Sequence, residues 1–116
     1  MRHALVSAAL LAFLGTAAQA EILAGGPIYG GTAQADAVCY IFNTGAAAVS
    51  LGPAQIRTQN GPLRSLNANN CAATLAARHG CAFAANIGTN VAHECQMDIS
   101  SKTDVRGSLE IRNTTG

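Results

Sequence analysis

The clearest pattern in the chain lies near its end. In "DVRGSLEIRN", Val105, Gly107, Leu109 and Ile111 point one way, and Arg106, Ser108, Glu110 and Arg112 the other. A period of two marks a half-buried antiparallel strand. "AHECQMDISS" repeats the pattern, with Cys95, Met97 and Ile99 on one face and Glu94, Gln96 and Asp98 opposite. "CAFAANIG" sets Cys81, Phe83, Ala85 and Ile87 on one face. Upstream, Val38 to Phe42 is dense in β-formers and stops at the turn signal Asn43-Thr44-Gly45. Between them, "AAAVSLGPAQIRTQNG" carries Val49, Leu51 and Ile56 but is broken by Gly52 and Pro53. That predicts either one bulged strand or two short ones. A short strand is expected around Leu63 to Leu66. The run "AATLAARHG" allows a helix of one or two turns, since alanine and leucine favour helix, or a loop rising into a strand. Several short strands with turn signals every ten or so residues predict an all-β sandwich.

The two ends change the picture. Arg2 and His3 precede an apolar run from Ala4 to Ala18, and "AAQA" supplies small residues at Ala18 and Ala20. This is the form of a secretory signal peptide over residues 1–20, with cleavage expected between Ala20 and Glu21. The run is short for a membrane span, which takes about 20 apolar residues. No later stretch has that length either. Residues 21–36, "EILAGGPIYGGTAQAD", read as an N-terminal arm or an edge strand, because glycine pairs bracket Ile28 and Tyr29. Residues 37–116 then form the sandwich domain. The expected location is secreted or periplasmic.

Charge excludes one class of partner. Without Arg2 the chain carries six basic and six acidic residues, spread singly along it. Nucleic acid or an anionic membrane surface calls for clustered Lys and Arg, and no such cluster occurs. The remaining aromatic residues are Tyr29, Tyr40, Phe42 and Phe83. A small domain with so thin a core usually needs covalent help. Cys39, Cys71, Cys81 and Cys95 supply it: an even number in a short secreted chain reads as disulfides. Three pairings are open to four cysteines, and spacing alone does not choose. The strand reading favours Cys39–Cys95, from an early and a late strand meeting across the core, with Cys71–Cys81 closing a small loop. Zinc and thioredoxin-like redox sites favour C-x-x-C pairs, and none occurs.

Three segments carry a resemblance. "FNTGAAAVSL" resembles the N-x-G-x-x-x-V-x-L/I signature of bacterial immunoglobulin-like repeats, the choice-of-anchor and abnormal-spindle/Hydin-like sandwich domains. "CAATLAARHGCAFAANI" is similar to their C-x-x-x-L-x-x-G-x-x-C-x-[FIV] segment, and "VRGSLEIRN" to their closing strand. The likeness spans about Val38 to Asn113. It implies an immunoglobulin-like antiparallel β-sandwich with Cys71 and Cys81 bridged. It implies no catalysis, and fold analogy alone supplies no function. Two departures stand out. Asn86, Ile87 and Gly88 stand where those domains commonly carry a proline-containing strand end, and the pair Cys39 and Cys95 is outside the general pattern. A small stand-alone family of secreted proteins is the nearer likeness.

Candidate chemistry is sparse. There is no G-x-S-x-G and no evident acid pair, and only His79 and His93 follow the signal segment. No enzyme and no cofactor are expected. His93, Cys95 and Met97 share a strand face, and His and Met ligate copper, so a periplasmic copper-binding protein using His93 and Met97 is the alternative function. Against it, Met97 reads as core, an oxidised Cys95 offers no thiolate, and His93 stands near its strand's start. His79, before Gly80, reads as an exposed turn residue. The principal expectation is a non-catalytic structural or interaction module with a protein or carbohydrate partner. Tyr40 and Phe42 lie opposite Cys39 on their strand; where that face is open to water they form a candidate contact surface.

Overall fold

The computed structural model describes residues 21–28, 34–88 and 91–113. The expected signal segment and residues 29–33 lie outside the described residues. All regular structure among the described residues is strand: β1 Glu21–Ile28, β2 Gln34–Asn43, β3 Val49–Thr58, β4 Leu63–Arg64, β5 Ala68–Asn69, β6 Thr74–Leu75, β7 Gly80–Asn86, β8 His93–Ile99 and β9 Val105–Asn113. They form two antiparallel sheets. One has the order β1-β8-β3-β4, with β6 also paired to β3; the other runs β5-β7-β2-β9. The expected all-β sandwich is the observed fold.

Alternation builds the core from both sheets. Cys95, Met97 and Ile99 of β8 face Cys39 and Ile41 of β2, Phe83 and Ala85 of β7, and Val105 and Leu109 of β9, all buried. Burying each large apolar side chain contributes about 1.5–3 kcal/mol. The Cys39–Cys95 disulfide crosses this core and ties the sheets together, with Cα atoms 6.0 Å apart. Cys71–Cys81 closes the loop before β7, Cα to Cα 5.0 Å. Both expected pairings are present. Two intramolecular disulfides fit an oxidising compartment.

Local departures have local causes. β3 is one strand, not two: its register with β8 shifts between Leu51 and Ala54, so Gly52 and Pro53 form a bulge. A bulge tolerates the missing proline N–H. The alanine-rich run is no helix. Leu75 is buried and pairs with Val49, and a turn follows in which Arg78 adopts φ 63°. The single disulfide joining the cysteines that flank the run, and the pairing to β3, outweigh a propensity that one or two turns cannot convert into stability. The N-terminal arm is an edge strand. Glu21 to Gly25 pair with Ile99 to Cys95, and the register shifts between Gly25 and Ile28. Gly26 sits at φ +108°, where a Cβ would meet the His93 carbonyl oxygen at 2.9 Å. Only glycine fits that shift. The expected boundary at residue 37 falls inside β2, whose pairing begins at Gln34. Arm and sandwich therefore share one core.

Candidate functional site

The two sheets present different outer faces. On the β1-β8-β3-β4 sheet a polar group centred on Arg57 stands between the exposed Ile22 and Leu63. Arg57 Nε donates to Gln96 Oε1 at 3.1 Å, and its Nη2 donates to Gln55 Oε1 at 3.1 Å. On the other sheet β2 turns Tyr40 and Phe42 outward, 36% and 46% exposed. None of the described strands covers them, so the open-face condition set by the sequence is met.

The pairing register explains what surrounds these rings. Tyr40 lies between Ala82 of β7 and Ser108 of β9, and Phe42 between Gly80 and Arg106. β7 thus offers Gly80, Ala82 and Ala84 to this face, and β5 adds Ala68 opposite Ala84. Small residues beside large ones leave a trough. Two adjoining hollows, about 410 and 280 Å³, share Tyr40, Asn70 and Ala82 in their walls. Phe42 rests on Gly80: a Cβ there would stand 2.9 Å from Phe42 Cδ2. Glycine is what lets the ring lie down on the sheet.

Each rim is fixed by hydrogen bonds. The Tyr40 hydroxyl donates to Glu110 Oε2 at 2.8 Å and accepts from Arg112 Nη2 at 2.7 Å. Arg112 Nε also pairs with Glu110 Oε1 at 3.3 Å. The hydrogen bond from Arg112, then that from Tyr40, holds the Glu110 carboxyl below its ordinary range, and Glu110 raises Arg112 in turn. Glu110 and Arg112 are both charged at neutral pH, and the neutral Tyr40 hydroxyl bridges them. Across the trough, Asn70 Oδ1 accepts from the Ala82 N–H at 2.7 Å, while Asn69, opposite the inward Phe83, accepts at Oδ1 from the Cys71 N–H at 2.9 Å. Anchoring each amide oxygen sets the direction of its NH₂.

The residues considered for copper are placed differently. His93 and Met97 are both fully buried on one face of β8. Four residues apart on a strand, they stand about 13 Å from each other. Cys95 lies between them, bonded to Cys39. The fold does not bring the two together. Neither ring nitrogen of His93 makes a hydrogen bond of good geometry among the described residues. Burial, and next the Arg64 charge, push its pKa below the ordinary histidine value, and the Val91 backbone opposes them in part. His79 is an exposed turn residue, as expected, its Nδ1 2.8 Å from the Ala77 carbonyl oxygen. Among the described residues no three His, Cys, Asp or Glu side chains converge.

Sequence reasoning placed Tyr40 and Phe42 correctly on the face opposite Cys39. It missed Glu110, Arg112, Asn69, Asn70 and Gly80 as their neighbours. The polar face of β9 was legible, but which residue lies beside Tyr40 depends on register between strands seventy positions apart. No protein-family model, no curated protein and no solved structure matches the chain.

Proposed function

We propose that the chain from Glu21 onward acts outside the cytoplasm, secreted or periplasmic, as a non-catalytic interaction module. Its contact surface is the outer face of the β5-β7-β2-β9 sheet. The carrying observation is the open pair Tyr40 and Phe42 beside two hollows floored by small residues. Aromatic side chains held in place by their surroundings deliver contact area at little entropic cost. A signal peptide removed after Ala20 would deliver the chain outside the cytoplasm, and the two disulfides fit that destination. The immunoglobulin-like resemblance agrees with such a role, since such domains serve widely as scaffolds for binding.

A photo-crosslinking phenylalanine analogue tests the surface whatever the partner is. It is placed at Phe42, and in separate variants at Ile22 and Leu63, which are exposed on the other sheet. A discrete crosslinked product from position 42 alone, in the extracytoplasmic fraction of the native host, is the expected result. Equal products from all three positions, or none from position 42, overturn the reading.

A further inference from the structure

We infer that the chain pairs with a second copy of itself along β9, joining two sheets into one across a two-fold axis at Ser108. The starting point is an open edge. β9 runs over Val105–Asn113, and among the described residues its ladder is with β2 alone. The other edges are blunted. β4, β5 and β6 are two residues long, and β1 shifts register between Gly25 and Ile28. Short edge strands, bulges, prolines and inward charges are the usual guards against pairing with another chain. From Val105 to Ile111, β9 carries none of them, and its inward residues are Val105, Gly107, Leu109 and Ile111. Gly107, at mid-strand, is exposed.

Backbone direction says which groups are free to pair. The Asp104 carbonyl accepts from the Thr44 N–H at 2.8 Å, and the same register continues with Phe42 opposite Arg106, Tyr40 opposite Ser108 and Val38 opposite Glu110. Alternate residues of a strand turn their N–H and C=O to opposite sides. Arg106, Ser108 and Glu110 therefore bond to β2, and Gly107, Leu109 and Ile111 offer theirs to the open side. A second β9 running antiparallel meets these groups only when the two-fold axis passes through a residue. Charge then selects the residue. An axis at Arg106 or Glu110 sets that side chain against its own copy. One at Gly107 sets Asp104 against the partner's Glu110, and one at Leu109 sets Arg106 against the partner's Arg112. At Ser108 every charge meets its opposite: Arg106 faces the partner's Glu110, and Asp104, just before β9, faces the partner's Arg112. Asp104, Arg106, Glu110 and Arg112 are all exposed. Opposite charges directly across a ladder attract, and like charges repel. On the inner face, Val105 lies against the partner's Ile111 and Gly107 against the partner's Leu109. Such a pair is isologous and closed, with no β9 edge left for a third chain. The outer faces of the two sheets end on the same side. The dimer therefore leaves Tyr40 and Phe42 of both subunits open, and the inference is independent of what they contact.

The test is sedimentation velocity on the mature, oxidised protein, at micromolar to millimolar concentration and at low and high salt. The variants are Arg106→Glu, Glu110→Arg, an equimolar mixture of the two, and the control Leu63→Ser at the far edge of the other sheet. The expected outcome is a wild-type dimer that high salt weakens. Each reversal turns two attractions into two repulsions, so each variant alone should dimerise about tenfold more weakly or worse. Their mixture should return to within a few-fold of wild type, because each variant supplies the charge the other lacks. Leu63→Ser should change nothing. Ser108→Cys reads the register directly. Opposite its own copy at a Cα separation of about 4.5 Å, it should form an intersubunit disulfide under mild oxidation, whereas Glu110→Cys should not. Melting curves identify any reversal variant that fails to fold, and Ser108→Cys, which keeps every charge, then carries the test. A wild type that stays monomeric throughout overturns the inference. So does a mixture of folded variants no tighter than its components, or a Ser108→Cys chain that remains monomeric under oxidation. Undiminished dimers in both reversal variants place the contact on another face and overturn it as well.

Discussion

Asn43 shows how much one polar side chain organises. It is fully buried at the end of β2. Its Nδ2 donates to the carbonyls of Ala47, Leu75 and Ala76 at 2.8, 3.2 and 3.3 Å, and its Oδ1 accepts from the Gly45 N–H at 3.0 Å. One amide thus closes the turn after β2 and holds the β6 loop to it. Asn43→Ala should cost about 2–3 kcal/mol in urea unfolding, because buried carbonyls lose their donor. Asn43→Asp should cost more, since an oxygen then faces those carbonyls; equal losses would mean the donor is not what matters. Arg78 is the opposite case, with φ 63° and its side chain in solvent. Arg78→Gly removes a left-handed strain of about 1 kcal/mol but frees the unfolded chain by a similar amount, so the melting temperature should hold or rise slightly. His93 supplies a pH dependence. Its folded pKa lies below the unfolded value, so the unfolded state binds the proton more readily. The stability tied to its neutral form is complete above pH 6.5 and declines as pH falls from there towards the lowered folded value. His93→Gln should flatten the urea midpoint over that window, while an unchanged slope would place the pH dependence elsewhere.

At the scale of elements, β1 is the strand most dependent on a single position. Its register with β8 shifts at Gly26, at positive φ and against the His93 carbonyl. Gly26→Ala should therefore cost about 1–3 kcal/mol from backbone strain. The loss should appear locally first: hydrogen exchange should speed up at the β1 amides that pair with β8 while the β2–β7 amides keep their protection. Uniform acceleration would mean that β1 and the rest open as one unit. The strands themselves were largely legible, because alternation in β7, β8 and β9 reports directly which residues point inward. The fate of "AATLAARHG" was not, because its pairing to Val49 and Ser50 is a contact some twenty-five positions away that no local propensity records. The same limit governs the candidate site. Period-two alternation put Tyr40 and Phe42 on the outer face. It could not supply the register that sets Glu110 and Arg112 against one ring and Gly80 beneath the other. The burial of His93 followed from its sharing a face with Cys95 and Met97. Its place near the strand's start argued the other way, and packing between β1 and β3 decided it.

For the whole molecule, the two disulfides do unequal work, and the difference is measurable. Cys39–Cys95 spans 56 positions and joins the two sheets, whereas Cys71–Cys81 spans 10 and stays within one loop. In the loop-entropy description the long bridge constrains the unfolded chain by roughly 4 kcal/mol and the short one by roughly 3. Against a net stability of about 5–15 kcal/mol for an ordinary domain, either loss is large. Access separates them further. Cys39 and Cys95 are buried, while Cys71 and Cys81 are both partly exposed. Thiol exchange requires a thiolate to reach a sulfur, so access governs rate. Under native conditions a mild reductant should open Cys71–Cys81 first. Timed alkylation and peptide mass analysis should find label on Cys71 and Cys81 well before Cys39 and Cys95. Label on the buried pair should then appear at the rate of global unfolding, and urea should accelerate it much more steeply than it accelerates the first phase. The paired variants extend the argument to equilibrium. Cys71→Ser with Cys81→Ser should leave a folded protein with a lowered melting temperature and a loosened trough rim, since Asn69 and Asn70 lead directly into that bridge. Cys39→Ser with Cys95→Ser should lose more and unfold both sheets together. Simultaneous labelling of all four cysteines would overturn this ordering, because it would mean that the outer loop opens only when the core does.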